Sequence, residues 1–335
     1  MKTLILAAII FVAAIPTFGQ SERMRVGEIE FFGYRGLDIN KIRATLPIKE
    51  GDEITETSSV QIRPQIEESV RQAIRRDPTD ISFLCCNAQG KVIIYVGLPG
   101  LSFRSLRYNP KPGGSVELPS QVVSLYDQMD ELLADAVLKQ PLDDRSQGYS
   151  LSQYPPLRTK QLALREFAVN NEDLIRRVLA SSAVPKQRQV AAAALGYSRR
   201  SPDQIRALVN ASRDVDDGVR NNATRALGVL AASKTQTAAQ IPSADFVEML
   251  NSGVWTDRNK AGLLLGVLSM QREPSLLSQL RSRALDSLIE MARWRDPGHA
   301  SDARMILGRV AGIDEKRLQK LVAGGEVDTI LSALE

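Results

Sequence analysis

Residues 201–233 read SPDQIRALVNASRDVDDGVRNNATRALGVLAAS. Ser201 suits the N-cap of a first helix. The phrase Ala223-Thr-Arg-Ala-Leu227-Gly228 sits in a second. The same phrase, centred on Leu-Gly, returns at Leu195, Leu227, Leu265 and Leu307, with steps of 32, 38 and 42 residues. Each Leu has an alanine four residues before it: Ala191, Ala223, Ala261 and Ala303. Four-residue spacing puts Ala and Leu on one helix face. The small Ala lets helices approach while Leu fills a shared core. The glycine after it permits close contact despite costing about 1 kcal/mol inside a helix. Periods in this range mark stacked helix pairs, uneven where loops are inserted.

Working outward, each phrase is preceded by another amphipathic stretch: NEDLIRRVLAS, SPDQIRALVNAS, SADFVEMLNS and PSLLSQLRSRALDSLIEMARW. Asn171, Ser201 and Ser243 are candidate N-caps. Arg188, Arg220 and Arg258 stand three residues before the alanine in three copies, and Ala300 takes that place in the fourth. The pattern resembles HEAT repeats from about Leu157 to Glu335. That resemblance implies a protein-binding α-solenoid over 157–335. It also implies a ladder of hydrogen bonds between successive repeats, carried here to Asp217 and Arg220 and extended to Arg188 and Arg258, a structural role.

Composition narrows the chemistry. The chain has 335 residues, 43% of them hydrophobic, 24% charged and 5% aromatic, with a net charge of +4. That length suggests two domains or one extended array. The basic residues are scattered, so no nucleic-acid stripe is read. One histidine, His299, and two cysteines, Cys85 and Cys86, leave little material for a zinc site or a Ser-His-Asp triad. No cofactor and no metal are expected, and His299 reads as a loop residue.

The first residues, MKTLILAAIIFVAAIPTFGQSE, place Lys2 before an apolar run, Leu4–Ile15, then Pro16 and the small Thr17 and Gly19. This reads as a signal peptide over residues 1–19, cleaved after Gly19, giving a periplasmic or secreted protein. An uncleaved membrane anchor and a buried first helix are the alternatives.

Residues 24–98 follow a different pattern. VGEIEFFGY alternates as a strand. GLDINKIRATLPI is a short helix capped by Asp38 or Asn40, and KEGDEIT a turn. SVQIRPQIEESVRQAIRR is an amphipathic helix through Ile62, Ile66, Val70 and Ile74, with Pro64 expected near its first turn. Two strands flank Asn87-Ala88-Gln89-Gly90 in DISFLCCNAQGKVIIYVGLPG. A first strand pairing in parallel with a later one needs this helical crossover. The order, and the stretch IEFFGYRGLDINKIRATLPIKEGDEI with Gly33, Lys49, Gly51 and Asp52, resemble a POTRA domain, the module that precedes outer-membrane barrels. The resemblance implies binding without an active site, by strand addition to an open sheet edge. Ile81 and Phe83 on Ile81–Leu84 are the candidate contact residues. Adjacent cysteines on a strand point to opposite faces, so Cys85 and Cys86 are expected as separate thiols, with a disulfide between them or to another chain as alternatives.

Residues 99–156 read as a linker holding one helix, about 118–139, whose Tyr126 and Met129 are core residues by spacing. Asp143-Asp144 lacks the ligand alternation of a calcium loop and reads as a solvated turn. Trp255 and Trp294, the latter within MARWRDPGHASD, are the candidate partner-binding aromatics, with packing as the alternative.

The sequence therefore predicts a multi-domain α/β plus all-α chain: a small POTRA-like βααββ domain, then a HEAT-type α-solenoid. The expected function is a non-catalytic exported scaffold that binds protein partners through the solenoid surface and the sheet edge. An accessory factor in outer-membrane protein assembly or secretion, bound to a barrel or its client, is the alternative. An enzyme would have to use an acid pair such as Asp143-Asp144 or Asp216-Asp217. Membrane contact is expected only through an uncleaved N-terminal segment.

Overall fold

The computed structural model describes residues 23–139 and 143–335. The signal-peptide and anchor expectations lie outside the described residues.

The chain begins with β1 (Met24–Phe32), α1 (Ile39–Thr45), β2 (Glu53–Ile54), α2 (Glu56–Ile74), β3 (Asp80–Leu84) and β4 (Val92–Gly97). The Asp38 side chain caps α1 by accepting from the Asn40 and Lys41 amides. Thr55 and Ser58 form a reciprocal capping box that opens α2 earlier than the apolar repeat indicated, so Pro64 lies inside the helix and not in its first turn. The sheet order is β2-β1-β4-β3. β1 and β4 run parallel, with Ile29 opposite Ile94 and Phe32 opposite Gly97. β3 closes antiparallel on β4, with Ile81 opposite Val96.

This sheet is covered on both faces. Ile29, Phe31, Ile81, Val92, Ile94 and Val96 pack with Ile42, Ile66 and Val70 of the two helices. Phe32, Ile93 and Tyr95 point the other way and belong to the core of the remaining chain. Every residue of β4 is buried. That double burial explains why VIIYV is a continuous apolar run without polar alternation.

The rest is helical: α3 (Ser120–Lys139), a small hairpin of β5 (Asp143–Asp144) and β6 (Leu151–Ser152), then α4 (Pro155–Asn170), α5 (Glu172–Ser181), α6 (Pro185–Leu195), α7 (Pro202–Ala211), α8 (Asp217–Ser233), α9 (Thr235–Ala238), α10 (Ala244–Met249), α11 (Trp255–Leu268), α12 (Pro274–Arg283), α13 (Leu285–Ala292), α14 (Pro297–Val310), α15 (Glu315–Ala323) and α16 (Val327–Ser332). Helices α6, α8, α11 and α14 stack side by side in one row. The second row, α5, α7, α10 and α12–α13, backs it. The four repeated leucines and their alanines all lie in the first row and are completely buried. A Cβ on Gly196 would lie 2.8 Å from the Ala226 Cβ of the next unit. The phrase Ala-x-x-x-Leu-Gly is thus the seam of an α-solenoid. Ser201 caps α7 through the Gln204 amide, whereas Asn171 and Ser243 make no side-chain cap.

Between β4 and α3 the chain does not hang free. Arg104 N–H donates to Asn251 O (2.8 Å), and Asn109 N–H to Arg213 O (2.7 Å). Gly114 N–H donates to Ser181 O (2.7 Å), and Leu118 N–H to the Gln187 Oε1 (2.8 Å). The acceptors lie at the α10–α11, α7–α8 and α5–α6 turns and at the start of α6. The expected linker is therefore a strap laid across three successive repeats, in reverse order.

Candidate functional site

The N-terminal turns of α6, α8 and α11 each carry one of the repeated arginines, all almost completely buried. Each satisfies the carbonyl six residues before it: Arg188 Nη1 reaches Ser182 O at 2.9 Å, Arg220 Nη1 reaches Asp214 O at 2.9 Å, and Arg258 Nε reaches Ser252 O at 2.7 Å. Each also donates to an acid of the following unit. Arg188 grips Asp214 with two bonds of 2.8 Å. Arg220 grips Asp257 at 2.8 and 3.0 Å. Arg258 meets Glu290 at 3.1 Å. Paired N–H donors on a carboxylate are the geometry a guanidinium favours. Burial holds Asp257 above the usual carboxylate range, against the opposing pull of Arg220. Burial pushes the Arg258 guanidinium down to about 10.

This ladder corrects one assignment. Asp217 is not its acid. It is exposed at the first residue of α8, and its carboxylate accepts from the Gly218 amide. Asp216 caps α8 through the Val219 amide and accepts from Gln189. In the fourth unit, where Ala300 replaces arginine, Arg304 reaches back to Ala292 O (2.8 Å) and Trp294 O (2.9 Å). Asp214 precedes its unit's arginine by six residues, Asp257 precedes its own by one, and Glu290 has no such arginine after it. With no common spacing, nothing in the sequence flagged these acids.

Glu290 is the point where the N-terminal module meets the solenoid. Its carboxylate accepts the consecutive amides of Gly33 (2.7 Å), Tyr34 (2.9 Å) and Arg35 (2.9 Å), and the Ser102 hydroxyl (2.5 Å), besides Arg258. Successive backbone N–H groups turned inward form an anion-holding concavity. Gly33 is needed there: its φ is +71°, and a Cβ would stand 2.3 Å from Leu98 O.

Trp255 and Trp294 are corrected as partner-binding residues. They are 5% and 1% exposed and lie inside this junction. Trp294 Nε1–H donates to Phe31 O (3.1 Å), and the Trp255 amide to Asp80 (2.9 Å). Both rings pack on Tyr95, at 4.8 and 5.1 Å between centroids. The Tyr95 hydroxyl meets His299 Nδ1 at 2.8 Å, so His299 is a junction residue within α14. Burial lowers the His299 pKa. Arg295 extends the contact to Glu30 (2.8 Å) and Glu50 (2.6 Å), and its hydrogen bond holds Glu50 below the usual range.

The strap seals the ladder side. Ser102 O accepts from Arg258 Nη2 (3.1 Å), and the Tyr108 ring lies 4.4 Å from the Arg220 guanidinium. An extended segment of the chain itself thus covers the turns that carry the ladder.

At the far edge of the sheet, β3 has a strand on one side only among the described residues. Ile81, 2% exposed, puts its side chain into the module core and is corrected as a side-chain contact. Its carbonyl accepts from Arg63 of α2. Phe83 is half-buried, with the Arg63 guanidinium 5.5 Å from its ring centre. β3 ends at Leu84, so strand alternation does not govern the cysteines after it. A disulfide joins Cys85 to Cys86, in place of the separate thiols expected.

Among the described residues, no group of three His, Cys, Asp or Glu side chains is placed to hold a metal ion, and no helix is long and apolar enough to cross a membrane. No protein-family model matches the sequence, and neither does any curated protein. Among solved structures, an engineered protein covers 64% of this chain and 88% of its own, at 15% identity and a TM-score of 0.39. A designed armadillo repeat protein covers 64% of this chain and 100% of its own, at 14% identity and a TM-score of 0.39. Another, in complex with the peptide (KR)4, covers 63% and 90%, at 11% identity and a TM-score of 0.37. Superposition this loose carries no argument, and the solenoid assignment rests on the buried Leu-Gly seam and the arginine ladder.

Proposed function

We propose that the chain is a non-catalytic exported scaffold that holds a protein partner by strand addition to the outer edge of β3. The observation that carries this reading is the sheet order β2-β1-β4-β3, which among the described residues leaves β3 with a single strand neighbour. Main-chain hydrogen bonds at such an edge give affinity with little demand on partner sequence. Arg63, bound to the Ile81 carbonyl, acts as a displaceable guard of the kind that keeps an edge strand from unwanted pairing. The buried Glu290 anchor fixes the edge relative to the solenoid, so a captured strand is presented at a set position.

The crossover between the parallel β1 and β4, followed by the β3–β4 hairpin, supports the POTRA-like reading of the module. The arginine ladder supports the HEAT-type reading of the solenoid. On that basis the partner is sought in the cell envelope, and an outer-membrane barrel or its unfolded client is the more specific form of the proposal. The test is a photo-cross-linking residue in place of Phe83 in cells, with mass spectrometry of the adducts. Barrel or client adducts establish the assembly role, and other envelope proteins leave the general scaffold. An adduct-free Phe83 position, with a solenoid-surface position cross-linking efficiently, retires the strand-addition mode.

A further inference from the structure

A cavity of about 440 Å³ lies away from β3 and from the strap, where α3 roofs the first helix row. Its size is that of a small-molecule site. Met129 of α3, Leu157 of α4, and Ala226 and Val229 of α8 give it an apolar wall. Arg145 in the β5–β6 turn, Arg225 of α8 and Lys260 of α11 bring three cations to it.

These cations are not equally satisfied. Arg225 is paired with Asp143 at 3.2 Å, and that carboxylate also accepts from the Ser150 hydroxyl. The protein's own carboxylate therefore already occupies part of the cationic end. Among the described residues, no carboxylate stands within ion-pair distance of Lys260 or Arg145, and neither side chain makes a hydrogen bond. Asp302 of α14 acts on both Arg145 and Lys260, but only through space. Both side chains are half-buried, and a cation partly withdrawn from water without a partner is unfavourable. Burial, with Arg225 and Arg145 adding like charge, pushes Lys260 down to about 8. A protein that needed only packing here would gain from an apolar residue in its place. Asp130, the other acid of the cavity, lies on the exposed side of α3, where partial desolvation raises its pKa against the opposing pull of Lys186.

We propose that this cavity binds a small amphipathic anion, with its carboxylate or phosphate between Lys260 and Arg145 and its apolar body along Met129 and Val229. The site is independent of the β3 edge, and its failure would leave the strand-addition reading untouched.

The experiment is calorimetric titration of the full chain at neutral pH with octanoate, octyl phosphate and octanol. One equivalent of octanoate or octyl phosphate binds at least about tenfold more tightly than octanol, the equivalent of about 1.4 kcal/mol. Comparing the two anions tells a carboxylate ligand from a phosphate ligand. Lys260→Gln and Arg145→Gln each weaken the anion by about tenfold or more, Lys260→Arg restores it, and the exposed Lys316→Gln leaves it unchanged. Circular dichroism confirms that each variant is folded, and Arg145→Gln, on a surface turn, serves if Lys260→Gln is not. Octanol binding as tightly as both anions, neither anion binding at millimolar concentration, or anion binding unchanged in Lys260→Gln or, where that variant does not fold, in Arg145→Gln would overturn the proposal.

Discussion

Glu290→Gln removes one charge from the junction and little volume. The wild-type carboxylate holds five donors: three consecutive amides, the Ser102 hydroxyl and the Arg258 guanidinium. Glutamine keeps one acceptor oxygen and turns an NH2 towards groups that are themselves donors. It also leaves Arg258, which is fully buried, without a counter-charge. Breaking a buried ion pair by neutralising one partner costs about 3–5 kcal/mol. With an unfolding entropy of about 2 cal/mol/K per residue, that loss lowers the melting temperature of a chain this long by about 4–7 °C. The assay is calorimetry together with urea unfolding. Arg258→Met combined with Glu290→Gln should recover part of the loss, because the stranded charge goes as well. A Glu290→Gln variant within about 1 kcal/mol of wild type would refute the reasoning, since a buried charge cannot lose its partner so cheaply.

Other substitutions follow from the same geometry. Asp257→Asn strands buried Arg220 and should cost about 3–5 kcal/mol by urea midpoint, whereas Asp217→Asn, on the surface, should stay within about 0.5 kcal/mol. Gly33→Ala forces a side chain into a left-handed backbone against Leu98 O and should cost at least about 2 kcal/mol, read from the same transition. Lys260 has a folded pKa of about 8, below its unfolded value. The unfolded state therefore holds more protons between that pH and about 10.4, and stability rises with pH across the window. Lys260→Met should accordingly be more stable than wild type at pH 7, by as much as about 3 kcal/mol, with the gap closing as pH rises through the window.

The solenoid was legible because its seam is written in residue types that serve no other purpose so well. Ala191, Ala223, Ala261 and Ala303 and their leucines are all completely buried in one row. The N-terminal module was legible in its element order except for β2, a two-residue edge strand inside the stretch read as a turn, and the rest followed because a parallel strand pair requires a crossover of that length. The ladder acids were not, since Asp214, Asp257 and Glu290 share no position relative to the arginines they meet. The roles of Trp255 and Trp294 depended on docking between segments far apart in the chain, Phe31 with Trp294 and Tyr95 with Trp255. No local pattern encodes such a contact, and an aromatic that binds a partner reads the same as one that packs on a neighbouring domain. The strap was hidden because its bonds to the repeats run mainly through backbone groups, which every residue carries.

Module, strap and solenoid are joined through Glu290, which binds amides of the module, the strap's Ser102 and the solenoid's Arg258. Native-state hydrogen exchange tests it most directly, comparing the amides of Gly33, Tyr34 and Arg35 with those of Leu227 and Leu265. The junction amides are expected to open only with global unfolding, at the same free energy as the ladder helices. Exchange of the three junction amides through a separate, lower-energy opening, with α8 and α11 still protected, would contradict it.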